Sequence, residues 1–155
     1  MRILIVEDSP TQAARLAYHL DEAGHSVVAA SSAEDALVQL AAEPVDMVVT
    51  DVVMPGMNGY DLCREVKRRR PGTPVMLVTG LSDVIDIIQA LEAGADNFVT
   101  KPYDPAELLD RIAALVRNRE ARSQSGPGDG VRVVFREREY AVTSGRGQIL
   151  DLLVT

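Results

Sequence analysis

Three acids in this chain stand directly after short apolar runs: Glu7 and Asp8 after ILIV, and Asp51 after VVT. Taken singly, an acid in such a place fits a solvated turn or a helix cap. If the runs are neighbouring strands of a parallel sheet, however, the three carboxylates converge on one crevice. There they repel one another and raise each other's pKa unless a cation offsets them. An all-oxygen donor set suits a small hard ion, and Mg2+ takes one or two carboxylates, keeps several waters and shares a phosphate. Thr79 and Lys101 follow two further apolar runs. A hydroxyl and an ammonium beside such a metal would stabilise the equatorial charge of a phosphoryl group in transfer. The chemistry these residue types predict is phosphoryl transfer.

The elements that must position them are legible as a rhythm. Five β-branched runs, 2–6, 27–30, 46–50, 75–79 and 97–100, alternate with five amphipathic stretches. That alternation predicts an α/β fold, a doubly wound five-stranded parallel sheet with helices on both faces. Helix one takes Ser9 as cap and Pro10 at its first position, carries Ala13, Leu16, Ala17 and Leu20, and stops at Gly24. Helix two starts at Ser32 with Asp35 as capping-box partner and carries Ala36, Leu37 and Leu40. Helix three runs from near Gly59 to before Pro71. Helix four follows Ser82, places Ile85, Ile88, Ala90 and Leu91 at helical spacing and closes on Gly94, while helix five follows Asp104-Pro105 and carries Leu108, Leu109, Ile112, Leu115 and Val116. In an open sheet of this kind ligands bind beyond the carboxyl ends of the strands, where the acids, the threonine and the lysine stand.

Composition narrows the class. The net charge of −7 falls within residues 1–122, which hold 12 of the 16 Lys and Arg and 19 of the 23 Asp and Glu. An acidic body argues against direct nucleic-acid binding, which needs a cationic face. The basic run Lys67 to Arg70 is expected to favour a helix dipole and stay solvated. No apolar run approaches the roughly 20 residues of a membrane helix and no signal peptide opens the chain, so the expectation is a cytoplasmic protein without a membrane partner. The single cysteine, Cys63, reads as a small buried hydrophobe, and His19 and His25 as surface residues. Residues 123–130 (SQSGPGDG) read as a flexible linker. Residues 131–155 read as a hairpin, Val131 to Phe135 and Tyr140 to Thr143, followed by the start of a helix capped by Ser144. Its stripe of Ile149, Leu150, Leu152 and Leu153 predicts a homodimer contact through this C-terminal helix, and an end inside an apolar helix fits a truncated connector.

The segments ILIVEDSP (3–10), VVTDVVMPGMNGYDL (48–62), VMLVTG (75–80) and GADNFVTKPYDPAEL (94–108) together resemble the receiver domains of two-component signalling, over residues 1 to about 122. The resemblance implies the flavodoxin-like receiver fold with strand order 2-1-3-4-5. It implies Asp51 as phosphoacceptor for the phosphohistidine of a histidine kinase or phosphotransfer protein, with Mg2+ held by Glu7, Asp8, Asp51 and the backbone carbonyl of Val53. Thr79 and Lys101 would bond phosphoryl oxygens. Thr79 and Phe98 would form the switch acting on the surface of helix four, strand five and helix five. Pro55 and Gly59 match the loop that shapes the pocket, and Pro102 matches a proline whose Lys–Pro bond the family usually keeps cis. Gly80 leaves room for a phosphodonor, and Val53 and Leu81 overhang the approach of a hydrolytic water.

Alternatives are weaker. A phosphohydrolase with an aspartyl nucleophile needs a second acid two residues on, where this chain has Val53, so a multiple-turnover enzyme is not expected. A receiver that docks partners without phosphorylation would not need the full set of Glu7, Asp8, Asp51, Thr79 and Lys101. The tail resembles the segment joining an N-terminal receiver to a coiled coil in certain hybrid sensor kinases. About 25 residues after the linker are too few for a winged-helix DNA-binding domain.

Overall fold

The computed structural model describes residues 1–80, 83–125, 130–135 and 138–143, with side chains described through residue 118. Leu81, Ser82 and the helix expected from Ser144, with its apolar stripe, lie outside the described residues. The elements are β1 (Arg2–Val6), α1 (Pro10–Glu22), β2 (Ser26–Ala30), α2 (Ala33–Ala42), β3 (Met47–Thr50), α3 (Gly59–Arg69), β4 (Val75–Thr79), α4 (Val84–Glu92), β5 (Asn97–Thr100), α5 (Pro105–Ser125), β6 (Gly130–Phe135) and β7 (Arg138–Thr143). The sheet has the order β2-β1-β3-β4-β5-β6-β7. Its first five strands are parallel in the order 2-1-3-4-5, as expected.

Side chains along a strand point alternately to the two faces, and the core divides accordingly. Ile3, Ile5, Val49, Met76 and Val78 pack with Leu16 and Leu20 of α1 and Leu108 and Ile112 of α5. Leu4, Val6, Val48, Leu77 and Phe98 pack on the opposite face with Leu40 of α2, Leu62 and Val66 of α3, and Leu91 of α4. Both faces are covered, and the central strands β3 and β4 are buried along their whole length.

Caps set where the helices begin. Ser9 accepts from the Gln12 N–H at 3.3 Å, Ser32 from the Asp35 N–H at 3.0 Å and Asn58 from the Asp61 N–H at 2.9 Å. The Asp35 carboxylate accepts from Gln39 Nε2, one turn along α2. Asp83 is the N-cap of α4 and its N–H donates to Asp86. Gly24 and Gly94 close α1 and α4 at φ of 92° and 88°, values that favour glycine.

Several expectations need correction. Ile85 is 60% exposed, because α4 turns Ala90 and Leu91 inward and leaves its first turn outside. Lys67 turns partly inward, half-buried: it forms an ion pair with Asp96 at 2.5 Å and also donates to the Thr73 carbonyl. Arg68 and Arg69 pair with Glu65 on the same helix. His19 and His25 are half-buried, and His19 meets Tyr18 and Tyr103 edge to face. Cys63 is buried as expected, and burial pushes its thiol up to about 12. The C-terminal hairpin forms, with β6 and β7 antiparallel, and β6 also joins the sheet edge by pairing parallel with β5 at Asn97↔Val134 and Phe98↔Phe135. α5 runs to Ser125, into the segment read as a linker.

Candidate functional site

The parallel register carries the acids together. Val6 pairs with Thr50, so Glu7 and Asp51 leave adjacent strands at the same level, and the Asp51 N–H donates to the Val6 carbonyl at 3.0 Å. Thr79 pairs with Thr100, and the Lys101 N–H donates to the Thr79 carbonyl at 2.7 Å. Strand ends thus set the height of four functional residues before any side chain acts.

The side chains then close on one ammonium. Lys101 Nζ donates to Glu7 Oε2 and Asp51 Oδ2, both at 3.1 Å, and to Gln12 Oε1 at 2.5 Å. Its three protons are all engaged. The second Glu7 oxygen accepts from the Ser9 N–H, and the second Asp51 oxygen from the Val52 N–H at 2.7 Å. Glu7 and Asp51 are buried and Asp8 is exposed. Burial holds the Glu7 carboxyl above its ordinary pKa, and the Asp51 charge adds to this, against the Ser9 and Lys101 bonds. Burial also works against the Lys101 ammonium, but the bonds and charges of Glu7 and Asp51 outweigh it and raise its pKa.

One carboxylate oxygen from each of Glu7, Asp8 and Asp51 lies within 4.8 Å of the others. Three acids face one lysine, and the donors are hard oxygens, so the site fits a small divalent cation. Thr79 and Phe98 stand on the same face of the sheet by strand alternation, and both are buried, Phe98 at 2% exposure among the residues that pack with α4.

Around this centre, the Lys101–Pro102 bond is cis, as expected. Gly59 is required by contact: a Cβ there would lie 2.1 Å from the Asp51 carbonyl oxygen. Pro55 and Gly80 are exposed, and the Val53 side chain is 64% exposed at a cleft of about 480 Å³ that Asn58, Arg64 and Gln89 also line. A second cleft of about 410 Å³ opens beside Lys101, between Gln12, Arg15, Leu16 and Tyr103.

The family model for the response regulator receiver domain matches residues 3–113. The chain belongs to the response regulator receiver family. Among its relatives, transcriptional regulatory protein TcrA of Mycobacterium tuberculosis is 40% identical over 117 residues, which cover 76% of this chain and 46% of TcrA. The chain spans about half the length of the first curated relatives it matches. Among solved structures, the CheY-like receiver domain protein from Methanospirillum hungatei JF-1 superposes with a TM-score of 0.75 at 30% identity, covering 78% of this chain and 97% of that one. The receiver domain of a signal transduction histidine kinase from Syntrophus aciditrophicus is 40% identical with a TM-score of 0.71, covering 76% and 90%.

Two residues of this receiver's site escaped the reading of its sequence. Gln12 sits in the first turn of α1, and its only signal is its spacing of three from the cap Ser9. Glu34, in the first turn of α2, accepts from the Met57 N–H at 3.0 Å and so reaches the loop after Asp51 from another element. No spacing in the sequence announces that contact.

Proposed function

We propose that this receiver accepts a phosphoryl group on Asp51 from the phosphohistidine of a histidine kinase or phosphotransfer protein. The observation that carries the reading is the single ammonium of Lys101 shared by Glu7 and Asp51, with Asp8 beside them. Among the described residues, the cation bonded to these acids is Lys101, and it touches the proposed acceptor. An Asp51 oxygen attacks phosphorus, the P–N bond breaks, and its electron pair stays on the imidazole nitrogen, which takes a proton. Lys101 passes its Asp51 bond to a phosphoryl oxygen, and the Thr79 hydroxyl donates to another. Glu7, Asp8, Asp51 and the Val53 carbonyl would hold Mg2+, which when bound compensates the acids and the charge of the phosphoryl oxygens.

Drawing Thr79 toward the phosphoryl group would alter the packing of Phe98, which is already buried, and through it the surface of α4, β5 and α5. Val84 and Ile85, both exposed, give that surface apolar groups to offer a partner. Residues 1–122 would form the receiver, and the remainder a connector to whatever the signal controls. The transcriptional regulators among its relatives point to one such output. No helix among the described residues is long and apolar enough to cross a membrane.

The test is acetyl phosphate labelling with Mg2+. Wild-type protein should take up one phosphoryl group, Asp51→Asn should take up none, and chelation of Mg2+ should suppress uptake strongly. Full, stable labelling of Asp51→Asn would remove Asp51 as acceptor.

A further inference from the structure

We propose that Glu34 is a positioning residue for the metal: it ties the loop after Asp51 to α2 and so fixes the Val53 carbonyl at the acidic site. This inference rests on the reading of that site as a Mg2+-dependent phosphoacceptor, and it concerns a residue of α2 outside the acidic cluster.

Val53 has little side-chain packing to fix its place, being 64% exposed. The loop is instead held by its neighbours. At one end the Gly59 N–H donates to the Val52 carbonyl at 2.9 Å, and the absence of a Cβ lets Gly59 lie against the Asp51 backbone. In the middle Met54 is buried. At the tip, the Met57 N–H donates to Glu34 Oε2 at 3.0 Å. The loop meets Glu34 closely a second time: a Cβ on Gly56 would stand 3.0 Å from the same Glu34 oxygen, and Gly56 has φ +79°. At that φ a residue with a side chain would be strained, whatever the space. Two successive loop residues therefore lie against one side chain.

Glu34 itself is exposed; Ser32 is the N-cap of its helix, and the Glu34 carboxylate also accepts from its own backbone N–H. Its carboxylate makes a charge-assisted bond to a backbone N–H, the strong kind of hydrogen bond. A partner outside the ligand set that orients a ligand changes metal affinity by about 10- to 100-fold when removed. Because Glu34 would act on a carbonyl through four residues of backbone, the low end of that range is expected.

The experiment is Mg2+ titration of the unphosphorylated protein by calorimetry, with amide hydrogen exchange at Met57 read in the same variants without metal. Glu34→Ala should weaken Mg2+ binding about tenfold and speed Met57 exchange. Glu34→Gln keeps an acceptor oxygen but not the charge, and should stay within about threefold of wild type. Gly56→Ala should weaken binding in the same direction as Glu34→Ala. Unchanged Mg2+ affinity in Glu34→Ala, with wild type binding the ion, would overturn the proposal. Equal loss in the Ala and Gln variants would also overturn it, since the effect would then be long-range charge. If wild type itself binds no Mg2+, it is the reading of the site that fails.

Discussion

Strand β5 lies between two lysine–carboxylate clusters that differ in charge count. Before the strand, Asp96 pairs with Lys67 at 2.5 Å and also accepts from the Val75 N–H at 2.8 Å, while Lys67 donates to the Thr73 carbonyl. One cation meets one carboxylate, and a backbone group adds a further bond to each. After the strand, Lys101 is shared by Glu7 and Asp51 with Asp8 adjacent, so three acids face one ammonium. The first cluster staples α3 to the starts of β4 and β5. The second is an unbalanced site that a cation and a phosphoryl group would complete. Geometry alone does not separate structural from functional ion pairs; the balance of charge does.

The largest expected effect is on stability. Lys67→Met should leave the buried Asp96 charge without its cation and lower unfolding free energy by about 3–5 kcal/mol, independently of Mg2+. Asp51→Asn removes one of three like charges, and should leave stability in the absence of Mg2+ unchanged or higher. Urea denaturation of both variants with and without Mg2+ decides the point. A loss in Asp51→Asn as large as in Lys67→Met would mean that the two clusters serve the same end.

A smaller effect concerns pH. Burial, with the Asp51 charge, raises the Glu7 pKa above 4.5. Below 4.5 the folded and unfolded chains both hold this proton. As pH rises from there through the raised value, the folded chain retains a proton the unfolded chain has lost, so stability falls with rising pH over that window. Glu7→Gln should flatten this part of the profile, and saturating Mg2+ should flatten it in wild type. Thermal denaturation at a series of pH values is the measurement, and an unchanged slope in Glu7→Gln would contradict the assignment.

Most of the frame and the centre of the site were legible in the sequence. Short, continuous β-branched apolar runs closed by Ser, Pro and Gly punctuation mark strand ends, and a parallel sheet brings strand ends together, so Glu7, Asp51, Thr79 and Lys101 fall at one edge. What stayed hidden depends on where side chains reach after folding. Lys67 and Asp96 are 29 residues apart, and nothing in a basic run at a helix end tells that one member turns inward. Glu34 reads as an ordinary first-turn acid of α2, yet it holds Met57. Ile85 fits the helical spacing of a core residue, but an apolar period does not fix how far a short helix is rotated. The pairing of β6 with β5 is likewise a matter of where an edge lies after folding.

The smallest expected effect concerns how long the proposed phosphoryl group stays. Hydrolysis needs a water in line with phosphorus, and a neighbouring polar side chain can orient it. Two residues after the acceptor stands Val53, exposed at the cleft and unable to hydrogen-bond water through its side chain. Of the polar groups at the same cleft, Arg64 pairs with Asp61 at 2.7 Å and Asn58 Oδ1 caps α3. The phosphorylated protein is therefore expected to decay slowly. Val53→Asn would add an amide able to hold the water, and should speed decay about three- to tenfold, well below the 10²–10⁴ of a fully positioned acid or base. The measurement is loss of label from purified phosphoprotein with Mg2+ held saturating, so that a change in metal affinity does not enter. Decay of Val53→Asn at the wild-type rate or slower would show that this side chain does not govern the water's approach.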